Sequence, residues 1–132
     1  MDEKLERARE FFKNDIFASE QTGIEIVSAR DGYAKCSLKI TDKHKNALGH
    51  VMGGVIFTMA DYAFAIASNF EHPTTVTQTS QIVYLSSPKG AVLYAETEQI
   101  KSGKKTCVYK ITVSDDTGAQ IAYVTTTGIV IG

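Results

Sequence analysis

The chain has 132 residues, with 14 Lys+Arg against 15 Asp+Glu, 43% hydrophobic and 22% charged residues. That length suits one core of common size and leaves no room for a second catalytic domain, so a single domain over 1–132 is expected. A net charge of -1 argues against a nucleic-acid binder, which needs a basic surface, and the ordinary apolar fraction excludes disorder and fibrous repeats.

Residues 1–17 alternate charges and lack the apolar segment of a signal peptide, which predicts a cytoplasmic location rather than export. Leu5, Ala8, Phe11 and Phe12 recur at helical spacing among charged residues, so a short amphipathic helix lies here and ends before Thr22-Gly23. From Gly23 the pattern becomes extended. A turn signal at Asp31-Gly32 and the alternation of Ala34, Cys36, Leu38 and Ile40 predict a hairpin with one buried face. Cys36 and Cys107 show no CxxC spacing and read as reduced, buried small hydrophobes. Residues 41–49 are polar and form a loop.

Residues 51–69 are almost wholly apolar, open on two glycines and contain Asp61. An aspartate near the centre of a membrane span costs about 2.5–3.5 kcal/mol, so no membrane partner is expected. The alanines at 60, 63, 65 and 67 point to a helix surrounded by protein. Extended segments follow over 75–86, 91–101, 104–114 and 119–131, and their short connections read as an antiparallel meander. The expected class is α+β: a curved antiparallel sheet of about five or six strands wrapped around one long apolar helix, with a short N-terminal helix. The consecutive apolar residues Ile82, Val83, Tyr84 and Leu85 suggest that a second subunit covers part of the sheet.

Asp61 is the most informative residue. Midway along an apolar helix it must lose hydration, so it is either a satisfied buried carboxylate or a reactive one. Gly53-Gly54 either makes a close-packed turn into the helix or leaves its first N–H groups open to a carbonyl oxygen gaining negative charge. The three histidines His44, His50 and His72 form no HxH or HxxE cluster, and GxSxG, Walker and GxGxxG patterns are absent, so no metal and no cofactor is expected.

The run Asn46-Ala-Leu-Gly-His-Val-Met-Gly-Gly-Val-Ile-Phe-Thr-Met-Ala-Asp61 resembles the signature of the hotdog-fold acyl-CoA thioesterases of the phenylacetate-degradation (PaaI) type. The likeness in element order extends over essentially the whole chain. It implies a sheet wrapped around the long helix and a homodimer whose sheets join edge to edge, often paired into a homotetramer. It also implies a hydrolase that cleaves acyl-CoA, aromatic or medium-chain, to the free acid and CoA, which is substrate rather than cofactor. By position, Gly54 offers its N–H to the thioester carbonyl, Asn46 helps hold the carbonyl or the attacking water, and Asp61 is nucleophile or general base. A hydroxyl residue on the following strand falls at Thr77, with Thr79 the second choice. Met52 stands where the family has histidine, beside Gly53, and cannot hydrogen-bond the thioester as histidine does. His50 is expected to be a solvent-facing loop residue.

The resemblance further implies that the turn residues Lys89 and Gly90, and Lys101, Gly103 and Lys104, contact the phosphates of CoA. Gly54 and Asp61 stand seven helical residues apart, roughly 10 Å, too far for one thioester to touch both in one chain. The resemblance resolves this, since it implies a site at the dimer interface with Asn46 and Gly54 from one subunit and Asp61 and Thr77 from the other. Two alternatives stay open: a hotdog dehydratase acting on hydroxyacyl thioesters, and a non-catalytic acyl-CoA-binding module. Phe57, Met59, Tyr62 and Phe64 are candidates for the acyl pocket, pending the helix rotation.

Overall fold

The computed structural model describes residues 2–132, so Met1 of the expected domain lies outside it. Helix α1 spans Glu3–Phe12, with the Asp2 side chain accepting from the Leu5 N–H and Glu3 and Glu6 in the first turn. These acids complement the positive end of the helix. Ala8 and Phe12 are buried while Phe11 faces out, and the Tyr62 hydroxyl donates to the Phe12 carbonyl at 2.9 Å. A π-helical turn, Phe17–Thr22, then ends at Gly23, whose φ of 87° suits a residue without a side chain.

Strands β1 (Glu25–Arg30) and β2 (Tyr33–Lys39) form the expected hairpin. Helix α2, Gly53–Asn69, crosses the concave face of a six-stranded antiparallel sheet completed by β3 (Thr75–Tyr84), β4 (Val92–Ser102), β5 (Thr106–Asp115) and β6 (Gln120–Val130). Met59, Phe64 and Ile66 of α2 share one core with Leu38, Leu93, Ile111, Val113 and Val124 of the sheet. Phe64 meets Tyr109 edge-on, with ring centroids 5.4 Å apart. Both cysteines are free and buried. No described helix is long and apolar enough to cross a membrane.

The strand order is β1-β2-β4-β5-β6-β3. Only β4, β5 and β6 make a meander; β3 pairs with β6 and leaves its other edge free. The Ser87-Pro-Lys-Gly90 segment, which reads as a hairpin turn, is instead a crossing over the end of the sheet. Asp115 holds it by accepting from the Lys89 and Gly90 N–H groups at 2.7 and 3.0 Å.

The expectation that α2 is surrounded by protein fails along one stripe. Gly54 and Asp61 are exposed, and Thr58 and Ala65 between and beyond them are half-buried. Small side chains at these positions look like tight packing, but among the described residues the stripe is only partly covered, by residues 15–18.

Candidate active site

The loop before α2 is built around Asn46. Its side-chain Oδ1 accepts from the N–H groups of Leu48 (3.0 Å) and His50 (3.1 Å), and its own N–H donates to the His50 carbonyl at 2.7 Å. The Met52 N–H donates to the carbonyl of His44 at 2.9 Å. His44 is buried; its Nδ1 accepts from the Thr41 N–H at 3.0 Å, which leaves Nε2 to donate to the Thr22 carbonyl at 2.7 Å. The polar loop thus ties the π-helical turn to the start of α2. His50 is exposed, as expected.

Met52 caps α2 without a side-chain hydrogen bond, and the N–H groups of Gly53 and Gly54 have no partner among the described residues. The two glycines differ sharply. A Cβ on Gly53 would stand 2.8 Å from the Tyr84 hydroxyl, whereas one on Gly54 would meet nothing within 4 Å. Gly54 therefore opens onto space, with an unpaired donor at the positive end of a helix.

Asp61 lies on the same stripe of α2, two turns on. It borders a cavity of about 270 Å³ with Asp15, Ile16, Phe17, Ala18, Thr58, Tyr62 and Ala65. The apolar neighbours desolvate its carboxylate and raise its pKa, and the nearby charge of Asp15 raises it further. Exposure by area and a desolvating environment coexist because the carboxylate stands at the mouth of a cleft. Of the two readings of Asp61, the satisfied buried carboxylate does not hold. A second cavity of about 450 Å³ surrounds Gly54 and is lined by Phe17, Thr22, His44, Met52, Val55 and Thr58 among others. Phe17 and Thr58 border both cavities.

Of the acyl-pocket candidates, Tyr62 lines the Asp61 cavity although it is only 3% exposed, whereas Met59 and Phe64 lie in the core at 0% and 2% and Phe57 is half-buried.

Thr77 and Thr79 are separated by a bulge. Thr77 pairs with Gly128 and Thr79 with Thr127, so β3 advances two residues while β6 advances one. Adjacent residues of β6 face opposite sides of the sheet, and paired residues share a side. A Cβ on Gly128 would touch Phe64 of α2, so Thr77 is on the helix side and Thr79 on the outer side. Thr77 does not line the Asp61 cavity.

The lysine turns are likewise divided. Gly90 borders a cavity with His50 and Pro88, next to the start of α2, and has no room for a side chain because Asp116 abuts it. Lys101 stands near the end of β4, and Gly103 and Lys104 belong to the β4–β5 turn, closed by a Gly103 N–H bond to the Thr106 carbonyl. The eleven residues of β4 separate the two turns, roughly 36 Å. One protomer therefore carries Asn46, Met52, Gly53, Gly54, Lys89 and Gly90 at one end, Asp61 at mid-helix, and Thr77 towards the turn of Lys101 and Lys104. Sequence reasoning missed His44, Asp15, Phe17 and Thr58, since nothing local marks them as neighbours of the glycine pair or of Asp61. No three His, Cys, Asp or Glu side chains converge among the described residues.

The thioesterase superfamily model matches residues 48–122. The chain is 34% identical over 101 residues to 1,4-dihydroxy-2-naphthoyl-CoA hydrolase of Listeria monocytogenes, across 74% of this chain and 82% of the relative. Acyl-coenzyme A thioesterase PaaI of Escherichia coli is 29% identical over 118 residues, across 89% of this chain and 84% of the relative. The E. coli PaaI structure superposes with a TM-score of 0.89 at 25% identity, covering 98% of this chain and 94% of that one. A hypothetical thioesterase of Streptococcus pneumoniae, solved with coenzyme A, superposes with a TM-score of 0.84 at 27% identity, covering 94% of this chain and 97% of that one. That thioesterase has also been solved with an aspartate, and with a threonine, replaced by alanine.

Proposed function

The chain belongs to the thioesterase superfamily as a hotdog-fold enzyme of the PaaI type, and on that footing we propose that it hydrolyses aromatic or medium-chain acyl-CoA at a site completed by a second copy. The observation that carries the reading is the stripe of α2 on which Gly54 and Asp61 both lie open. The unpaired Gly54 N–H, backed by the helix dipole, stabilises the oxyanion that forms when the thioester carbonyl is attacked. Asp61 supplies the attack, either by taking a proton from water or by adding its own oxygen to the carbonyl carbon. In the first route the water oxygen bonds to the carbonyl carbon and the C–S bond breaks to release the carboxylic acid. In the second the C–S bond breaks to leave an acyl–Asp61 anhydride, which water hydrolyses to the acid and free Asp61. In both the CoA sulfur takes up a proton.

Seven residues of helix set the two groups roughly 10 Å apart, too far for one carbonyl and its attacking water. A twofold partner brings a second Asp61 towards the first Gly54, and the free edge of β3 supports a dimer in which two sheets join edge to edge. Asp61 and Thr77 stand sixteen residues apart, the same separation as the aspartate and threonine replaced in the S. pneumoniae thioesterase. That match supports Asp61 as the attacking group and Thr77, rather than Thr79, as its hydroxyl partner. In this reading Asn46 donates its free side-chain amide to the carbonyl or water, Met52 and Gly53 border the acyl group, and CoA phosphates meet Lys89 and Gly90 of one copy or Lys101, Gly103 and Lys104 of the other. The naphthoyl-CoA relative and the coenzyme A complex support the substrate class. The reaction needs no metal or cofactor, and a pair of unbridged cysteines suits a cytoplasmic enzyme.

A dehydratase would pair a carboxylate with a histidine. His44 lines the Gly54 half of the site, but both its ring nitrogens are engaged, by the Thr41 N–H and the Thr22 carbonyl, and Met52 stands at the start of the helix instead. The test is release of free CoA thiol from aryl, short, medium and long acyl-CoAs. Hydrolysis by the native protein and none by folded Asp61→Ala is expected; native rates in Asp61→Ala overturn the reading.

A further inference from the structure

We infer that Phe17 is the specificity-determining residue for the acyl group, stacking on an aromatic acyl portion as it leaves the Gly54 carbonyl site. The inference rests on the thioesterase reading and names the side chain that selects its substrate.

The open stripe of α2 offers Gly54, Thr58, Asp61 and Ala65, all without an aromatic surface. Phe17, on the π-helical turn, borders both the Gly54 cavity and the Asp61 cavity. Phe17 is 63% exposed, which is high for a large apolar residue. The backbone beneath it is firmly held. The Ser19 hydroxyl donates to the Lys13 carbonyl at 2.8 Å, the Ser19 N–H donates to the Asp15 carbonyl at 2.9 Å, and His44 donates to the Thr22 carbonyl at 2.7 Å. Ala18, the next residue, is buried. A fixed backbone carrying an uncovered ring is the arrangement that a ligand contact requires, because the ring is positioned before the ligand arrives. Single π-helical turns of this kind recur at functional sites.

Met52, 46% exposed, and half-buried Val55 supply the aliphatic part of the Gly54 cavity, and Gln21, Thr22, Lys43, His44 and Thr58 its polar part. Phe17 adds an exposed aromatic ring to that lining, which favours a flat acyl group through edge-to-face or offset stacking. A straight alkyl chain gains the apolar burial without the ring–ring term.

The experiment compares kcat and KM for benzoyl-CoA and hexanoyl-CoA in the native enzyme, Phe17→Ala, Phe17→Leu and Phe17→Tyr, with oligomeric state measured by sedimentation. In Phe17→Ala and Phe17→Leu the ratio of kcat/KM for benzoyl-CoA over hexanoyl-CoA falls, by up to about tenfold, while Phe17→Tyr keeps it. An unchanged ratio in Phe17→Leu overturns the inference and leaves the thioesterase reading intact. Dissociation of the oligomer in Phe17→Leu also overturns it, since the ring is then an interface residue. If the native protein hydrolyses neither these nor any other acyl-CoA, the thioesterase reading fails and this inference fails with it.

Discussion

The Tyr84 hydroxyl donates to the carbonyl of Gly53 at 2.9 Å, joining the end of the free edge strand β3 to the first residue of α2. The ring sits so close that a Cβ on Gly53 would stand 2.8 Å from the hydroxyl, while Gly54 beside it has nothing within 4 Å. Gly53→Ala must therefore displace Tyr84 and shift the helix start, and both stability and activity fall. Gly54→Ala fits the folded chain and keeps or raises Tm, since alanine favours a helix by up to about 1 kcal/mol. Yet its methyl occupies the space of the thioester, and kcat/KM falls by about tenfold or more. Thermal melts beside thiol-release kinetics check this; equal loss of Tm in both variants would refute the assigned difference.

Asn46 and Asp61 contribute to different ends of the open stripe. Singly, Asn46→Ala and Asp61→Ala homo-oligomers are expected to lose at least about 100-fold in kcat. Mixed after subunit exchange, they regain a fraction of native activity, because a heterodimer holds one site with neither substitution. Verified heterodimers without recovery would show that each protomer works alone.

Asp61 has its pKa raised, first by desolvation and then by the charge of Asp15. Asp61 acts ionised, so activity is lost as pH falls through that raised value. Asp15→Asn removes the like charge and lowers the pKa of Asp61, moving the acid limb of the kcat/KM profile to lower pH. Tyr62, the other titratable group lining that cavity, is unchanged in this variant. A profile that stays in place would show that Asp15 exerts no influence on the reacting carboxylate.

Asp115 is a stability determinant remote from the chemistry. Its carboxylate accepts from the Thr117 hydroxyl and from the N–H groups of Lys89, Gly90, Thr117 and Ala119. These bonds, the Thr117 hydroxyl foremost, hold its pKa well below the usual carboxylate range. A depressed folded-state pKa contributes stability that is fully present above the unfolded value and is lost as pH falls through the folded one. Asp115→Asn is expected to lower Tm by about 5 °C or more at neutral pH. The gap from the native protein narrows as pH drops below the ordinary carboxylate range. A gap that is constant with pH would assign the loss to packing instead of charge.

Much of this architecture is written in local patterns. The Asp31-Gly32 turn and the alternation in β5 each fix an element by period, with observed ends within about two residues of those expected, whereas the amphipathic helix expected to run up to Thr22-Gly23 stops at Phe12 and a separate π-helical turn fills the rest. The glycine pair and Asp61 stand out because each breaks the logic of an apolar helix. What could not be read depends on distant parts of the chain. Thr75, Thr77 and Thr79 alternate as if on one face, and only pairing with β6 reveals the extra residue that parts Thr77 from Thr79. The two lysine turns look equivalent until β4 is laid between them. The bare stripe on α2 was disguised by its small residues, which serve close packing and open access equally well.

That extra residue, Gln78, has an effect on the free edge of β3 as well. An exposed ten-residue strand is a template on which any extended chain can aggregate. The bulge cuts the template into Thr75–Thr77 and Thr79–Tyr84, whose pairing groups fall out of step. A regular strand can zip along one stretch but not along both. The irregularity that turns Thr77 towards the helix therefore also guards the protein against indiscriminate association, leaving the edge to a neighbour shaped to accommodate the break.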